Sequence, residues 1–259
     1  MSIVSYLKST ILSKIVMAVT GIILLLFLIG HTLGNLQIFI GREVFNQYAY
    51  FLQSTGELLW VFRAVMLLSA ILHIVTSVYL KFYNLKAKPQ KYAVTNYVKA
   101  TLSSRTMIWT GIAIACFLAY HLLHFTFGVT NPEHTKYNGY VEKGAGLYVE
   151  YNMPVPELIE GKYIEIPDGK ILFKQKDVYK MVILGFKNPF ISIVYIIGVI
   201  IVGFHLNHAI QSAFQTLGLN HPRYSPSIIA GSSTFSFLIA LGLISIPVSV
   251  LLGIIGGVA

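Results

Sequence analysis

Five stretches of the chain stay apolar for more than twenty residues, and polar segments separate them. Roughly twenty apolar residues on a helix cross the ~30 Å hydrocarbon core of a bilayer. The pattern predicts an all-α integral membrane bundle of five transmembrane helices, over about 15–38, 58–80, 107–129, 189–217 and 228–258. Residues 1–13 alternate polar and apolar positions at near-helical spacing, as for a segment along the inner face or a frayed terminus. Phe39 to Gly56 reads as a polar and aromatic connection. The long segment 130–188 is expected to form an extracytoplasmic loop. Within it, KYIEIPDGKILF alternates on both sides of Pro167-Asp168-Gly169, which predicts a small β-hairpin, because glycine supplies the positive φ of the turn. No small-residue cleavage site follows the first run, so it is expected to remain as a span.

Composition agrees with this pattern: 55% of residues are hydrophobic and 11% charged, too apolar for an ordinary soluble domain. A net charge of +9 could suggest nucleic acid, but its placement argues otherwise. The N-terminal segment, the loop between spans two and three and the short loop with Arg223 carry nine Lys and Arg and no acid. All ten Asp and Glu fall on the other side. By the positive-inside bias the N-terminus is expected in the cytoplasm and the C-terminus outside, with no nucleic-acid partner. Cys116 is the sole cysteine, which excludes an internal disulfide and an iron-sulfur cluster held by this chain alone.

Six histidines lie inside these runs, His31, His73, His121 and His205 with the neighbours His124 and His208, where an ionisable group is costly and by default marks a functional site. Thr20 to His31 reads TGIILLLFLIGH, and ninety residues later Thr110 to His121 reads TGIAIACFLAYH. His31 stands seventeen residues beyond Lys14 and His121 sixteen beyond Arg105, in helices running outward. At 1.5 Å per residue both reach a level about 25 Å above the inner markers. His73, sixteen residues beyond Glu57, and His205, eighteen beyond Lys187, lie in helices running inward. They share a level deeper by about 10 Å.

Two same-level pairs suit two bis-histidine haems, since neutral imidazoles fill both axial positions without adding charge. A transporter needs only one or two ionisable groups near the midplane. His124 and His208, each three residues from a proposed ligand, are competing choices: the repeat favours His121 over His124, whereas depth does not separate His205 from His208. His134 and His221 fall in loops and are expected to be solvated. Gly21 and Gly111 stand near the inner level, where a missing side chain would admit a flat ring or a close helix contact.

FLIGHTLGN around His31, GREVFNQYAYF after it, SRTMIWTG before span three, GFKNPFISIVYI and FHLNHAIQSAFQTLGLNHPRY carry a resemblance. The chain resembles the cytochrome b subunit of bacterial succinate:quinone oxidoreductases (succinate dehydrogenases and fumarate reductases) of the single-subunit, two-haem type. The resemblance covers all five spans and leaves the outer loop unexplained. It implies two haem b groups, the distal on His31 and His121 and the proximal on His73 and His205, and so selects His205 over His208. It also implies a quinone, with menaquinone expected, a cytoplasmic iron-sulfur subunit with a flavoprotein beyond it, residence in the bacterial cytoplasmic membrane, and a complex able to form higher oligomers. One relative has a proton-carrying glutamate two residues before the fourth-span ligand. Gly203 occupies that position here.

On this reading electrons pass between the iron-sulfur subunit and the quinone through the two haems, in either direction. Arg63 and Arg105 are candidate propionate partners, or snorkel to headgroups. Glu43, Gln47 and Glu57, at the outer ends of spans one and two, are candidates for the quinone site. The rival readings are a two-haem anchor of another membrane dehydrogenase and a haem-free, proton-coupled transporter.

Overall fold

The computed structural model describes residues 9–87, 90, 101–135, 138–142, 148–149, 163–165 and 171–257. Residues 88–89 and 91–100 of the basic segment between spans two and three, and residues 1–8, lie outside the described residues.

The helices in chain order are α1 (Thr10–Leu36), α2 (Arg42–Ser54), α3 (Glu57–Ala87), α4 (Leu102–His121), α5 (Pro132–Thr135), α6 (Val178–Lys187), α7 (Pro189–Thr216) and α8 (Ser225–Leu251). Five of them, α1, α3, α4, α7 and α8, are long and apolar enough to cross a membrane, α1 counted with the 3-10 turn Gln37–Phe39 and α4 with the π-helical turn Leu122–Thr126. Their exposed side chains are large and apolar, with Phe190 74% and Trp109 71% exposed, the reverse of a water-facing surface. α3 runs on to Ala87, and α4 starts at Leu102, further than the apolar runs extend, because backbone hydrogen bonding continues through the Lys and Arg that flank them.

α2 falls where the sequence reads as a connection. It is an amphipathic helix that buries Phe45 and Asn46. Between α5 and α6 lie the backbone strands β1 (Asn138–Glu142), β2 (Tyr148–Val149), β3 (Tyr163–Glu165) and β4 (Ile171–Lys176), antiparallel in the order β2-β1-β4-β3. Tyr163 pairs with Phe173 and Glu165 with Ile171, while Pro167, Asp168 and Gly169 lie outside the described residues. β1 and β2 have no counterpart in the sequence-based expectation.

The chain clusters into two compact units, and both draw segments from all five long helices. Unit one holds residues 1–31, 60–115 and 198–241; unit two holds 32–59, 116–197 and 242–259. In unit one, α7 and α8 are joined by a polar seam. Asn207 Oδ1 accepts from Gln211 Nε2 at 2.8 Å and from Ser233 Oγ at 3.2 Å, and Gln211 Nε2 also donates to Ser232 Oγ at 2.9 Å. Such interhelical bonds suit an apolar medium, where oily faces alone do not drive helices together.

The core of unit two gathers Ile38, Phe45, Met181, Phe186, Ile191 and Tyr195 among its buried residues. Local chemistry sets the helix starts there. Asn188 Oδ1 accepts from Phe190 N at 3.0 Å, with Pro189 at the first helical position of α7. Asp177 caps α6 by accepting from Lys180 N at 3.0 Å, and Arg42 Nε (3.1 Å) and Asn46 Nδ2 (2.9 Å) donate to the same carboxylate, so α2 is tied to α6.

Candidate functional site

The Thr-Gly pair of the repeat occurs once in α1 and once in α4; the first copy lies against His73 and the second against His205, in unit one. His73 Nδ1 stands 3.0 Å from Met17 O and 3.4 Å from Thr20 Oγ1. A carbonyl oxygen only accepts, so Nδ1 carries the proton. Thr20 spends its own hydrogen on Val16 O at 2.7 Å. His205 Nδ1 stands 3.0 Å from Thr110 Oγ1, whose hydrogen goes to Met107 O at 3.0 Å. With that hydrogen on Met107 O, the hydroxyl accepts from the imidazole and His205 takes the same tautomer as His73.

The glycines complete the two seats. A Cβ at Gly21 would stand 3.2 Å from His73 Cε1, and one at Gly111 would stand 3.7 Å from His205 Cε1. It is the imidazole that lies against each glycine. Both rings are half-buried and held by Nδ1, and among the described residues no hydrogen bond reaches Nε2 of either. A histidine fixed through one ring nitrogen presents the lone pair of the other, the usual arrangement of a metal-bound imidazole. His208 has no such seat: among the described residues no hydrogen bond orients its ring.

His31 and His121 each have a phenylalanine as neighbour. Phe27 packs on His31 with ring centroids 5.3 Å apart, and Phe117 on His121 at 6.2 Å, each one helical turn earlier in its own helix. Next to His121 the repeat's helix gives way to the π-helical turn, which carries His124. His124 is fully buried. Its Nδ1 lies 3.0 Å from Tyr195 Oη and its Nε2 3.1 Å from His134 Nδ1. With both ring nitrogens engaged, His124 offers no lone pair to a metal.

His134 departs from the sequence-based expectation of solvation: its side chain is 12% exposed. Gly128, at φ +65°, ends the π-turn, with Val129 N bonded to Leu123 O at 2.8 Å, and the chain turns back so that α5 returns His134 to His124. His221 is exposed and stacks on Tyr224.

Of the other candidates, Glu43 and Gln47 come together on α2, Gln47 Nε2 donating to Glu43 Oε1 at 3.1 Å. Glu57 is exposed in the first turn of α3. The Arg63 guanidinium lies 4.9 Å from the Trp60 ring centroid, a cation–π contact within its own helix, and Arg105 is exposed near the start of α4. The roles of Thr20, Thr110 and Tyr195 escape sequence reasoning; only the repeated Thr-Gly signals the first two. Among the described residues no group of three or more His, Cys, Asp or Glu could hold a metal ion, and an axial pair requires only two ligands. Comparison with protein-family models, with curated proteins and with solved structures finds no match for this chain.

Proposed function

We infer that this chain is a di-haem cytochrome b anchor, carrying electrons between an iron-sulfur subunit and a membrane quinone, menaquinone, in a succinate:quinone oxidoreductase. The observation that carries the reading is the pair of Thr-Gly seats. They lock Nδ1 of His73 and His205 and leave both Nε2 atoms to a ligand. The residues fit haem in their donor chemistry: two oriented imidazoles on different helices, in an apolar surround. The sequence-based resemblance supplies the identity of the complex, its flavoprotein and iron-sulfur partners, and its place in the bacterial cytoplasmic membrane.

In this proposal His73 and His205 hold the proximal haem. His31 and His121 hold the distal one on the strength of the repeat and the resemblance. Haem bound by these residues would supply one-electron transfer. The chain's own part is to orient the four imidazoles and to keep water from them. Met17 O and Thr110 Oγ1 raise the basicity of the ligands by accepting from their Nδ1. Glu43 and Gln47 offer an acceptor and a donor to a quinone head.

A dithionite-reduced minus oxidised visible spectrum of the purified complex tests the reading. A b-type α-band is expected, with about half lost in His73→Ala and the other half in His31→Ala. A wild-type complex without the band overturns it. The second reading, a haem-free proton-coupled transporter, draws on the hydrogen-bonded His124 and His134, and the same spectrum separates the two. Recovery of subunits other than a flavoprotein and an iron-sulfur protein would instead favour an anchor for another dehydrogenase.

A further inference from the structure

In unit two a run of side chains leads from the buried interior to solvent, and the function inferred above does not use it. Tyr195 is 5% exposed, and its hydroxyl meets His124 Nδ1 at 3.0 Å. His124 Nε2 meets His134 Nδ1 at 3.1 Å. His134 Nε2 stands 3.6 Å from Glu133 Oε1, on a side chain that is 61% exposed. Asn131 Nδ2 steadies that carboxylate from 3.1 Å. Phe125 stacks on His124 with centroids 4.0 Å apart and helps to cover the ring.

Tying a loop to a helix requires one fixed donor and one fixed acceptor. Here the tyrosine hydroxyl and both imidazoles can each give and take a proton, and the run ends on an exposed base. It begins beside Tyr120, whose ring centroid is 5.8 Å from that of Tyr195. A π-helical turn, an irregularity frequent at functional sites, carries its central member.

We propose that Tyr195, His124, His134 and Glu133 form a proton path from the interior of unit two to solvent, serving the proton exchange of the quinone; this rests on the function inferred above. Oxidation of a hydroquinone breaks two O–H bonds and yields two protons and two electrons, the electrons going to haem iron. For each proton, Tyr195 Oη accepts it while passing its own to His124 Nδ1. His124 passes the proton on Nε2 to His134 Nδ1, and His134 passes the one on Nε2 to Glu133 or water. Each imidazole ends in its other tautomer and stays neutral, and the exposed Glu133 regains its charge when it passes the proton to water. From that state the run carries a proton inward when a quinone is reduced, or reorients and repeats.

The test uses the purified complex in phospholipid vesicles, with a water-soluble naphthohydroquinone as donor. Haem reduction is followed by stopped flow, and proton release by an external pH dye. His134→Ala is expected to keep the wild-type haem content, to slow both signals by about tenfold or more, and to recover with added imidazole. Undiminished rates at full haem content, or a loss that imidazole does not restore, overturn the path and leave the proposed function standing. A wild-type complex lacking the b-type band overturns the function, and the path as its proton route with it. Should His134→Ala fail to assemble, Glu133→Gln, at an exposed side chain, gives the same reading with acetate as the rescuing base, and an unchanged rate overturns the path.

Discussion

Thr110 Oγ1 lies 3.0 Å from Nδ1 of His205 and is the acceptor that fixes that imidazole, whereas Thr20 Oγ1 lies 3.4 Å from Nδ1 of His73 and shares it with the nearer Met17 carbonyl. The two copies of one motif therefore differ in weight. Thr110→Val keeps the shape of the side chain and removes the acceptor, stranding a donor. On the proposed function, haem retention is expected to weaken by about 10- to 100-fold, as when a ligand's hydrogen-bond partner is lost. Thr20→Val leaves the Met17 acceptor in place and is expected to change retention by less than about threefold. Haem loss to apomyoglobin, followed at the Soret band, measures both.

The glycines give a second contrast, in shape alone. At Gly21 an added methyl would sit 3.2 Å from His73 Cε1, too close for the ring to keep its place, while at Gly111 it would sit 3.7 Å from His205 Cε1, in ordinary contact. Gly21→Ala is expected to shift the low-spin haem signal in electron paramagnetic resonance, which reports the ligand planes, and Gly111→Ala to leave it unchanged. Equal spectra for the two variants would contradict this account of the seats.

Asp177 is a structural anchor. Its side chain is fully buried and meets the Arg42 guanidinium, the Asn46 amide and the first turn of α6. Asp177→Ala removes a helix cap and leaves the partly buried Arg42 without this carboxylate, at a cost of about 3 kcal/mol or more. Asp177→Asn keeps hydrogen-bonding capacity and is expected to cost about half as much. Thermal unfolding in detergent, followed by the helical circular dichroism signal, ranks the two.

The five long helices were legible because a span announces itself locally, in more than twenty apolar residues at a stretch. α2 was not, since its buried face, Phe45 and Asn46, is short and partly polar and lies between Gly41 and Gly56, which read as turn signals. The repeat brought Thr20, Gly21, Thr110 and Gly111 into view. Their partners stayed hidden because His73 and His205 come from other helices. His134 read as solvated for a related reason: its contact with His124 depends on how the chain turns after Gly128, and nothing within a few residues of it encodes that return.

The π-helical turn at Leu122–Thr126 has a consequence for the bookkeeping of the two copies. It fits about one more residue per turn than an α-helix, so everything after it is rotated by roughly 100° from an unbroken continuation. Up to His121 the second copy keeps the first copy's frame; beyond it the frame slips. His124 is the positional equivalent of Gly34, which Tyr48 covers at closest approach. Removing one residue from the 122–126 turn should restore the first copy's frame, detaching His124 from Tyr195 while His121 keeps its face, and haem absorbance that survives in such a deletion would show that the two histidines are separable modules.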